Sequence, residues 1–243
     1  MRLPISPETQ SFRGNITTNK LRKTRVVAKF VNQSASISEI QSFRDTKGKH
    51  LMPRRKVQFI QGHYYHIYNR GAGRHNLFIE QENYFYILRK MKGYLTEFSL
   101  VTIAYCLMPN HYHFLLRQDG LISAAELPKR LFGGYSRAVQ RRYQWTGTLF
   151  EGRFQARHVD SENYLRHLCR YIHANPVKDG LVRRLEEWPY SNYLEWIGER
   201  NGTIVDHNFI QEMFGSSQEY KEFVQDYLIT RHLPNELNYL DWD

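Results

Sequence analysis

Two histidines separated by one residue are the first feature of this sequence that could carry chemistry. His111 and His113 lie in the mainly apolar run 106–116, directly after the turn-forming pair Pro109-Asn110. Side chains at positions i and i+2 project from one face of a β-strand, whereas in a helix they diverge by about 200°. The aromatic neighbours favour a strand. The sequence therefore predicts two imidazoles pointing together, and neutral imidazole is the commonest protein ligand for metal ions.

Such a pair of ligands leaves a metal site incomplete. Two histidines bind a divalent ion only with a third protein group, a substrate oxygen or water. This suits catalysis, because an open position can polarise a phosphoryl oxygen. A zinc site that only stabilises the fold needs four ligands, and the spacing supplies two. The sequence lacks H-E-x-x-H, a nucleotide-binding glycine motif and G-x-S-x-G, which argues against a metalloprotease, nucleotide-driven chemistry and an α/β-hydrolase.

A tyrosine is a candidate nucleophile, since a phenol can form a covalent intermediate when a metal or base assists it. Tyr135 follows Gly133-Gly134 on a predicted helix rich in basic residues. A phosphate would favour that surface. An aromatic residue on the apolar stripe of a helix is nevertheless most often a core residue, and spacing alone does not choose Tyr135 over Tyr143.

The elements around these residues follow a simple order. Alternation predicts a strand over 64–68, and three- and four-residue spacing of apolar residues predicts a helix over 80–95. Residues 100–107 and the histidine run form a hairpin. A helix over 123–143, an extended stretch over 148–159 and a helix over 163–174 follow, the last ended by Asn175-Pro176. The order indicates an α+β fold: a ferredoxin-like split β-α-β-β-α-β sheet with helices on one face.

Charge divides the chain of 243 residues into three parts. Residues 1–56 carry a net charge of +10 and are predicted to be a disordered basic extension, or upstream sequence if the true start lies near Met52. Residues 57–182 carry +7 and form the predicted functional domain, and residues 183–243 carry −7 and form a small helical appendage. A basic domain favours a polyanionic partner, although a merely solvated surface is an alternative.

Cysteine usage and hydropathy indicate the compartment. The two cysteines, Cys106 and Cys169, are too few for a disulfide scaffold and too far apart for a C-x-x-C site. There is no signal peptide and no apolar run of membrane-spanning length. The sequence therefore predicts a cytoplasmic protein with no membrane partner and no nucleotide cofactor.

Four motifs then occur in a fixed order between about residues 61 and 182. They are Y-H-I-Y-N-R-G at 65–71, M-P-N-H-Y-H-F-L-L at 108–116, G-T-L-F-E-G-R-F at 147–154 and R-Y-I-H-A-N-P-V at 170–177. Together they resemble the single-tyrosine transposases with a His-hydrophobe-His motif, and within these the REP-associated tyrosine transposases.

The resemblance implies a DNA transposase that cleaves single-stranded DNA near imperfect hairpins. His111 and His113 would hold Mg²⁺ or Mn²⁺, and Tyr135 would attack to give a 5′-phosphotyrosine link and a free 3′-hydroxyl. Reversal onto another 3′-hydroxyl would rejoin strands, and related enzymes commonly work as homodimers. A carboxamide four residues after the nucleophile completes the metal site in related transposases. That position is Val139 here, so the adjacent Gln140 is the candidate third ligand.

Basic side chains near these motifs are candidate DNA contacts: Arg70, Lys129, Arg130, Arg137, Arg141 and Arg153. A rival hypothesis is a domesticated, non-catalytic relative that only binds nucleic acid. In that case exposed aromatic residues of the sheet, such as Tyr64, Tyr68 and Phe114, would stack on unpaired bases.

Overall fold

The structure, a computed structural model, describes residues 57–240. The predicted basic extension, residues 1–56, and the alternative start at Met52 lie outside this range. Among residues 57–240, none of the helices combines the length and the apolar character that a bilayer crossing requires.

A four-stranded sheet forms the centre of the fold. Its strands are β1 (Tyr64–Arg70), β2 (Leu100–Leu107), β3 (His111–Gln118) and β4 (Gln155–Val159). The spatial order is β2-β3-β1-β4, and all neighbours are antiparallel. Each crossover, from β1 to β2 and from β3 to β4, therefore skips one intervening strand. This is the ferredoxin-like split topology that the sequence predicted.

The first face of the sheet is covered by the two crossover helices, α1 (Gln81–Phe98) and α2 (Glu126–Tyr143). On α1, Tyr84, Ile87 and Met91 recur at three- and four-residue spacing and are buried. They pack with Tyr112 and Phe114 of β3, which project to this side because strand side chains alternate. The prediction that both crossover helices share one face is confirmed.

The second face is covered by α3 (Glu162–Lys178) and by the end of the chain, and the histidine pair lies on this side. Sequence analysis ended α3 at Ala174, but the helix continues for one more turn with Pro176 inside it. Proline there removes the N–H that would donate to the Ile172 carbonyl, a single hydrogen bond in the last turn of the helix. The proline is therefore tolerated near the helix end.

Short helices form the rest of this second layer: α4 (Tyr193–Trp196), α5 (His207–Phe214), α6 (Ser217–Thr230) and a 3-10 helix (Asn235–Leu240). They share one hydrophobic cluster with α3 and the sheet. Asn192 binds them to the outer edge of β2: its Oδ1 accepts from the Tyr105 N–H at 2.7 Å, and its Nδ2 donates to the Ile103 carbonyl at 2.9 Å. A domain boundary at residues 182/183 stays a prediction.

Candidate functional site

The histidine pair lies at the start of β3, just after the tight connection from β2. The ring centroids of His111 and His113 are 5.1 Å apart, with the planes at 82°. The Nδ1 atom of His111 lies 2.8 Å from Asn110 Oδ1, and the Nδ1 atom of His113 lies 2.9 Å from His66 Nε2. Because both Nδ1 atoms are engaged in this way, Nε2 is the nitrogen of each ring that could bind a metal ion.

Tyr135 lies on the opposite side of the sheet from these histidines. Its hydroxyl donates to the Leu77 carbonyl at 2.5 Å, and its ring packs against Phe78 and Phe132. Burial raises the pKa of the Tyr135 phenol well above its usual value. The structure therefore does not bring Tyr135 to the histidines. The physical reason is that the apolar stripe of α2, on which Tyr135 lies, packs into the first-face core.

A different tyrosine meets the histidines. Tyr171 of α3 lies with its ring centroid 5.7 Å from that of His113, and the two planes are nearly perpendicular at 89°. Lys178 Nζ donates to the Tyr171 hydroxyl at 3.2 Å and also lies over its ring. The Tyr171 hydroxyl donates in turn to the Leu240 carbonyl at 3.4 Å. Tyr171 is thus a phenol beside an imidazole and an ammonium group.

Asn175 follows Tyr171 by one helical turn and is fully buried. Its Nδ2 donates within α3, whereas its Oδ1 is buried without a hydrogen-bond partner among residues 57–240. A buried carboxamide oxygen is a hard donor of the type that Mg²⁺ and Mn²⁺ accept. As donor types, two imidazoles and one carboxamide oxygen would suit such an ion and would leave positions open for substrate oxygens.

Gln140, the predicted third ligand, lies elsewhere. Its side chain is exposed on α2, the helix that covers the first face, and its Nε2 donates to the Gly147 carbonyl at 3.2 Å. Within residues 57–240 no group of three or more His, Cys, Asp or Glu residues is arranged to hold a metal ion. The candidate ligands His111, His113 and Asn175 include only two residues of these four types, so they would not form such a group.

Tyr171 and Asn175 were not predicted as site residues, although both lie in the R-Y-I-H-A-N-P-V motif. The signal that could have found them was spacing: a carboxamide stands four residues after Tyr171, whereas Val139 stands four residues after Tyr135.

The basic residues predicted to contact DNA fall into two groups. Arg70 and Arg153 line a surface cavity of about 390 Å³ together with Tyr68, which lies opposite His113 in the strand register. Arg70 is paired with Glu151, its Nη2 lying 2.9 Å from Oε1, which holds the pKa of that carboxyl below its usual value. The other group is exposed on α2, in the layer on the first face: Lys129, Arg130, Arg137 and Arg141.

Arg157 of β4 was not predicted. It pairs with His66 in the strand register and is exposed, and its guanidinium lies 4.9 Å from the ring centre of Tyr239. Alternation along β4 places it on the second face of the sheet, with the histidines. Arg157 thus joins Arg70, which pairs with His111 in the strand register, and Arg153, which lines the cavity beside Tyr68.

Part of the chain is similar to a known protein family. Residues 59–175 match the family model described as "Transposase IS200 like". We refer to this matching segment as the IS200-like domain. It runs from just before β1 to Asn175, so the IS200-like domain contains His111, His113 and Tyr171.

Individual relatives are more distant. A protein of Haemophilus influenzae described as a REP-associated tyrosine transposase is 28% identical over 112 residues, which cover 40% of this chain and 61% of the relative. A solved structure, a REP-associated tyrosine transposase bound to a REP hairpin, superposes with a TM-score of 0.52 at 17% identity. It covers 64% of this chain and 94% of that one. This likeness establishes that the IS200-like domain shares the fold of that enzyme.

A transposase structure from Deinococcus radiodurans is 21% identical, with a TM-score of 0.34, over 50% of this chain and 94% of that one. A score of that size does not establish a common fold.

Proposed function

We propose that this protein is a DNA strand-transfer enzyme that cleaves and rejoins single-stranded DNA beside hairpins, with Tyr171 as its nucleophile. The observation that carries the proposal is the contact between Tyr171 and His113, which places a phenol beside the histidine pair on the second face of the sheet. The match of residues 59–175 to the family model described as "Transposase IS200 like" supports the same reaction class. Assembly into a homodimer and a cytoplasmic location stay predictions.

The reaction is also proposed to need a divalent ion. His111 and His113 would bind it through Nε2, and Asn175 would bind it through Oδ1. A bound Mg²⁺ or Mn²⁺ would supply Lewis-acid stabilisation of the charge that develops on the phosphoryl oxygens.

Residues of this chain carry out the cleavage and rejoining steps. Lys178 stabilises the deprotonated Tyr171, because its Nζ already lies 3.2 Å from the hydroxyl oxygen. The Tyr171 phenol loses its proton to solvent, and the phenolate attacks the scissile phosphorus. The phosphorus–3′-oxygen bond breaks, and the departing 3′-oxygen takes up a proton from solvent. The strand is then held as a 5′-phosphotyrosine diester until another 3′-hydroxyl attacks and releases Tyr171. Because one phosphodiester replaces another, the exchange needs no nucleotide cofactor as an energy source.

Substrate phosphates reach this site along the second face. Arg70 and Arg153 flank the open cavity next to Tyr68, and their charge would hold the strand backbone there. Tyr171 itself is only 2% exposed, and the Leu240 carbonyl lies against its hydroxyl. The segment 235–240 therefore has to move for a phosphate to reach the phenol.

That burial also favours a second candidate function, a non-catalytic binder of structured single strands. His113 is fully buried, so a protein in which segment 235–240 stayed in place would bind DNA without cleaving it. Binding of hairpin DNA by wild-type protein in Mn²⁺, with the strand left intact, would favour this alternative.

The test is cleavage of end-labelled hairpin DNA in Mn²⁺, with covalent protein–DNA adduct resolved on a denaturing gel. Wild-type protein and Tyr135→Phe should form adduct, whereas Tyr171→Phe and His113→Ala should form none. Tyr135→Phe loses only the hydrogen bond to Leu77, which costs about 1 kcal/mol of stability. Adduct formed by Tyr171→Phe but not by Tyr135→Phe would overturn the assignment.

A further inference from the structure

A chain of hydrogen bonds runs from the histidine pair to the end of the protein. His113 Nδ1 lies 2.9 Å from His66 Nε2, and His66 Nδ1 lies 2.7 Å from the Tyr239 hydroxyl. The Tyr164 hydroxyl donates to the same Tyr239 oxygen at 2.8 Å. Three separate elements, β1, α3 and the final 3-10 helix, are thus connected to the His113 ring through this chain of hydrogen bonds.

The rings of this chain are also fixed by packing. His66 is fully buried, and it is stacked against His113 with the centroids 5.1 Å apart and the planes at 14°. Tyr68 is also stacked against His66, with the centroids 4.6 Å apart, and against His113, with the centroids 6.0 Å apart. The imidazole of His66 therefore has little freedom to rotate away from His113.

The direction of the chain follows from the chemistry of imidazole. A neutral His113 can bind a metal ion through Nε2 only if its proton is on Nδ1. His66 Nε2 must then accept that proton's hydrogen bond, so the His66 proton is on Nδ1 and is donated to Tyr239. In the reverse direction, His66 would donate to His113 Nδ1, the proton of His113 would be on Nε2, and the metal-binding lone pair would be lost.

We propose that His66 is a positioning residue for the metal site, and that Tyr239 holds His66 in the tautomer that this role requires. His66 orients the His113 ring and selects its competent tautomer, as outer partners of metal-bound histidines generally do. This inference rests on the proposed function, since it assumes that His113 is a ligand. It also assigns a role in the metal site to Tyr239, which lies in the C-terminal segment beyond the family match at 59–175.

The test is the affinity of the full-length protein for Mn²⁺ without DNA, measured by the loss of the free-ion electron paramagnetic resonance signal. Co²⁺ absorption provides a second readout, because it reports the number of histidine ligands and the geometry around the ion. His66→Phe keeps an aromatic ring in the stack but removes the acceptor, and it should weaken Mn²⁺ binding about 10-fold or more. His66→Gln keeps an acceptor and a donor and should restore most of the affinity.

Tyr239→Phe and His158→Phe complete the set. Tyr239→Phe keeps the ring that covers His66 and removes only the hydroxyl, and it should weaken binding less than His66→Phe does. His158→Phe is the matched control: it breaks a comparable histidine–histidine hydrogen bond, the 2.7 Å contact between β4 and His63, the residue before β1, and should leave Mn²⁺ affinity unchanged. If His66→Phe does not fold, the Mn²⁺ affinity of Tyr239→Phe relative to wild type tests the positioning role instead, because Tyr239→Phe retains the ring packing around His66.

The outcomes separate this inference from the proposed function. If His113→Ala binds Mn²⁺ as tightly as wild type does, the metal site itself is misassigned. If His113→Ala abolishes binding while His66→Phe and Tyr239→Phe bind as wild type does with unchanged Co²⁺ spectra, the positioning role is wrong and the metal site stands.

Discussion

Tyr171 and His113 face each other across the contact between α3 and β3, with ring centroids 5.7 Å apart and planes at 89°. Tyr135, by contrast, lies in the layer on the other side of the sheet, with its hydroxyl bonded to the Leu77 carbonyl. The sheet separates the two phenols, so the histidine pair can work with only one of them in this arrangement. The proposed nucleophile therefore lies on α3.

Asn175 should contribute to metal binding, whereas Gln140 should not. Asn175→Ala removes the buried Oδ1 that would serve as a ligand and should weaken Mn²⁺ binding about 10-fold or more in calorimetric titration. Gln140→Ala alters an exposed carboxamide on α2 and should leave the affinity as it is. Equal losses in both variants would contradict the proposed ligand set.

Arg153 should contact DNA phosphates. It lines the cavity beside Tyr68, so Arg153→Ala should weaken hairpin binding uniformly across sequences and reduce the slope of log affinity against log salt by about 1. Arg141→Ala, an equally exposed change on α2, should leave the slope unchanged. Binding measured by fluorescence anisotropy over a salt series makes this comparison. A larger effect at Arg141 would place the DNA on the first face.

His173 should make the protein less stable in mild acid. Burial lowers the pKa of this histidine to about 4, and its Nε2 donates to Asn192 Oδ1 at 2.9 Å. Between about pH 6.5 and pH 4 the unfolded chain binds a proton that the folded chain does not, so the free energy of unfolding falls as the pH falls, by roughly 3 kcal/mol in all.

Urea unfolding at several pH values checks this, with His173→Gln as the comparison. His167, whose pKa burial also lowers to about 4, contributes to the acid loss in both proteins. The variant should therefore show a smaller loss than wild type rather than none. Parallel pH curves for the two proteins would show that His173 is not responsible.

Asn192 should be important for stability, because it binds the C-terminal layer to the backbone of β2. Asn192→Ala leaves the buried Tyr105 N–H and the His173 ring without their partner and should cost about 2–4 kcal/mol of unfolding free energy. Asn208→Ala, an exposed change on α5, should stay within about 0.5 kcal/mol of wild type. Thermal and urea unfolding of both variants measure the difference.

The sequence was sufficient for the sheet and for the histidine pair, because both depend on local periodicity. Alternation in 111–118 fixes which side chains of β3 share a face, and the split order of elements fixes which strands are neighbours. The helix bounds were close as well, with α2 predicted over 123–143 and observed over Glu126–Tyr143.

The nucleophile depends on information that periodicity does not contain. Tyr135 and Tyr171 are both buried aromatic residues on amphipathic helices, and the sequence pattern does not state which face of the sheet each helix covers. Only the tertiary structure puts α3 next to the histidines. The layer formed by residues 185–240 then buries α3 on its outer side as well, which makes Tyr171 look like an ordinary core residue.

Mapping the site of covalent attachment decides between Tyr171 and Tyr135 as the nucleophile. Wild-type protein is allowed to form adduct with hairpin DNA in Mn²⁺, the DNA is digested to a short nucleotide remnant, and tryptic peptides are sequenced by mass spectrometry. Trypsin separates the two candidates, since Tyr171 lies in the peptide YIHANPVK (171–178) and Tyr135 in LFGGYSR (131–137). The account predicts a nucleotide on Tyr171. A nucleotide on Tyr135, with an unmodified 171–178 peptide, would contradict it.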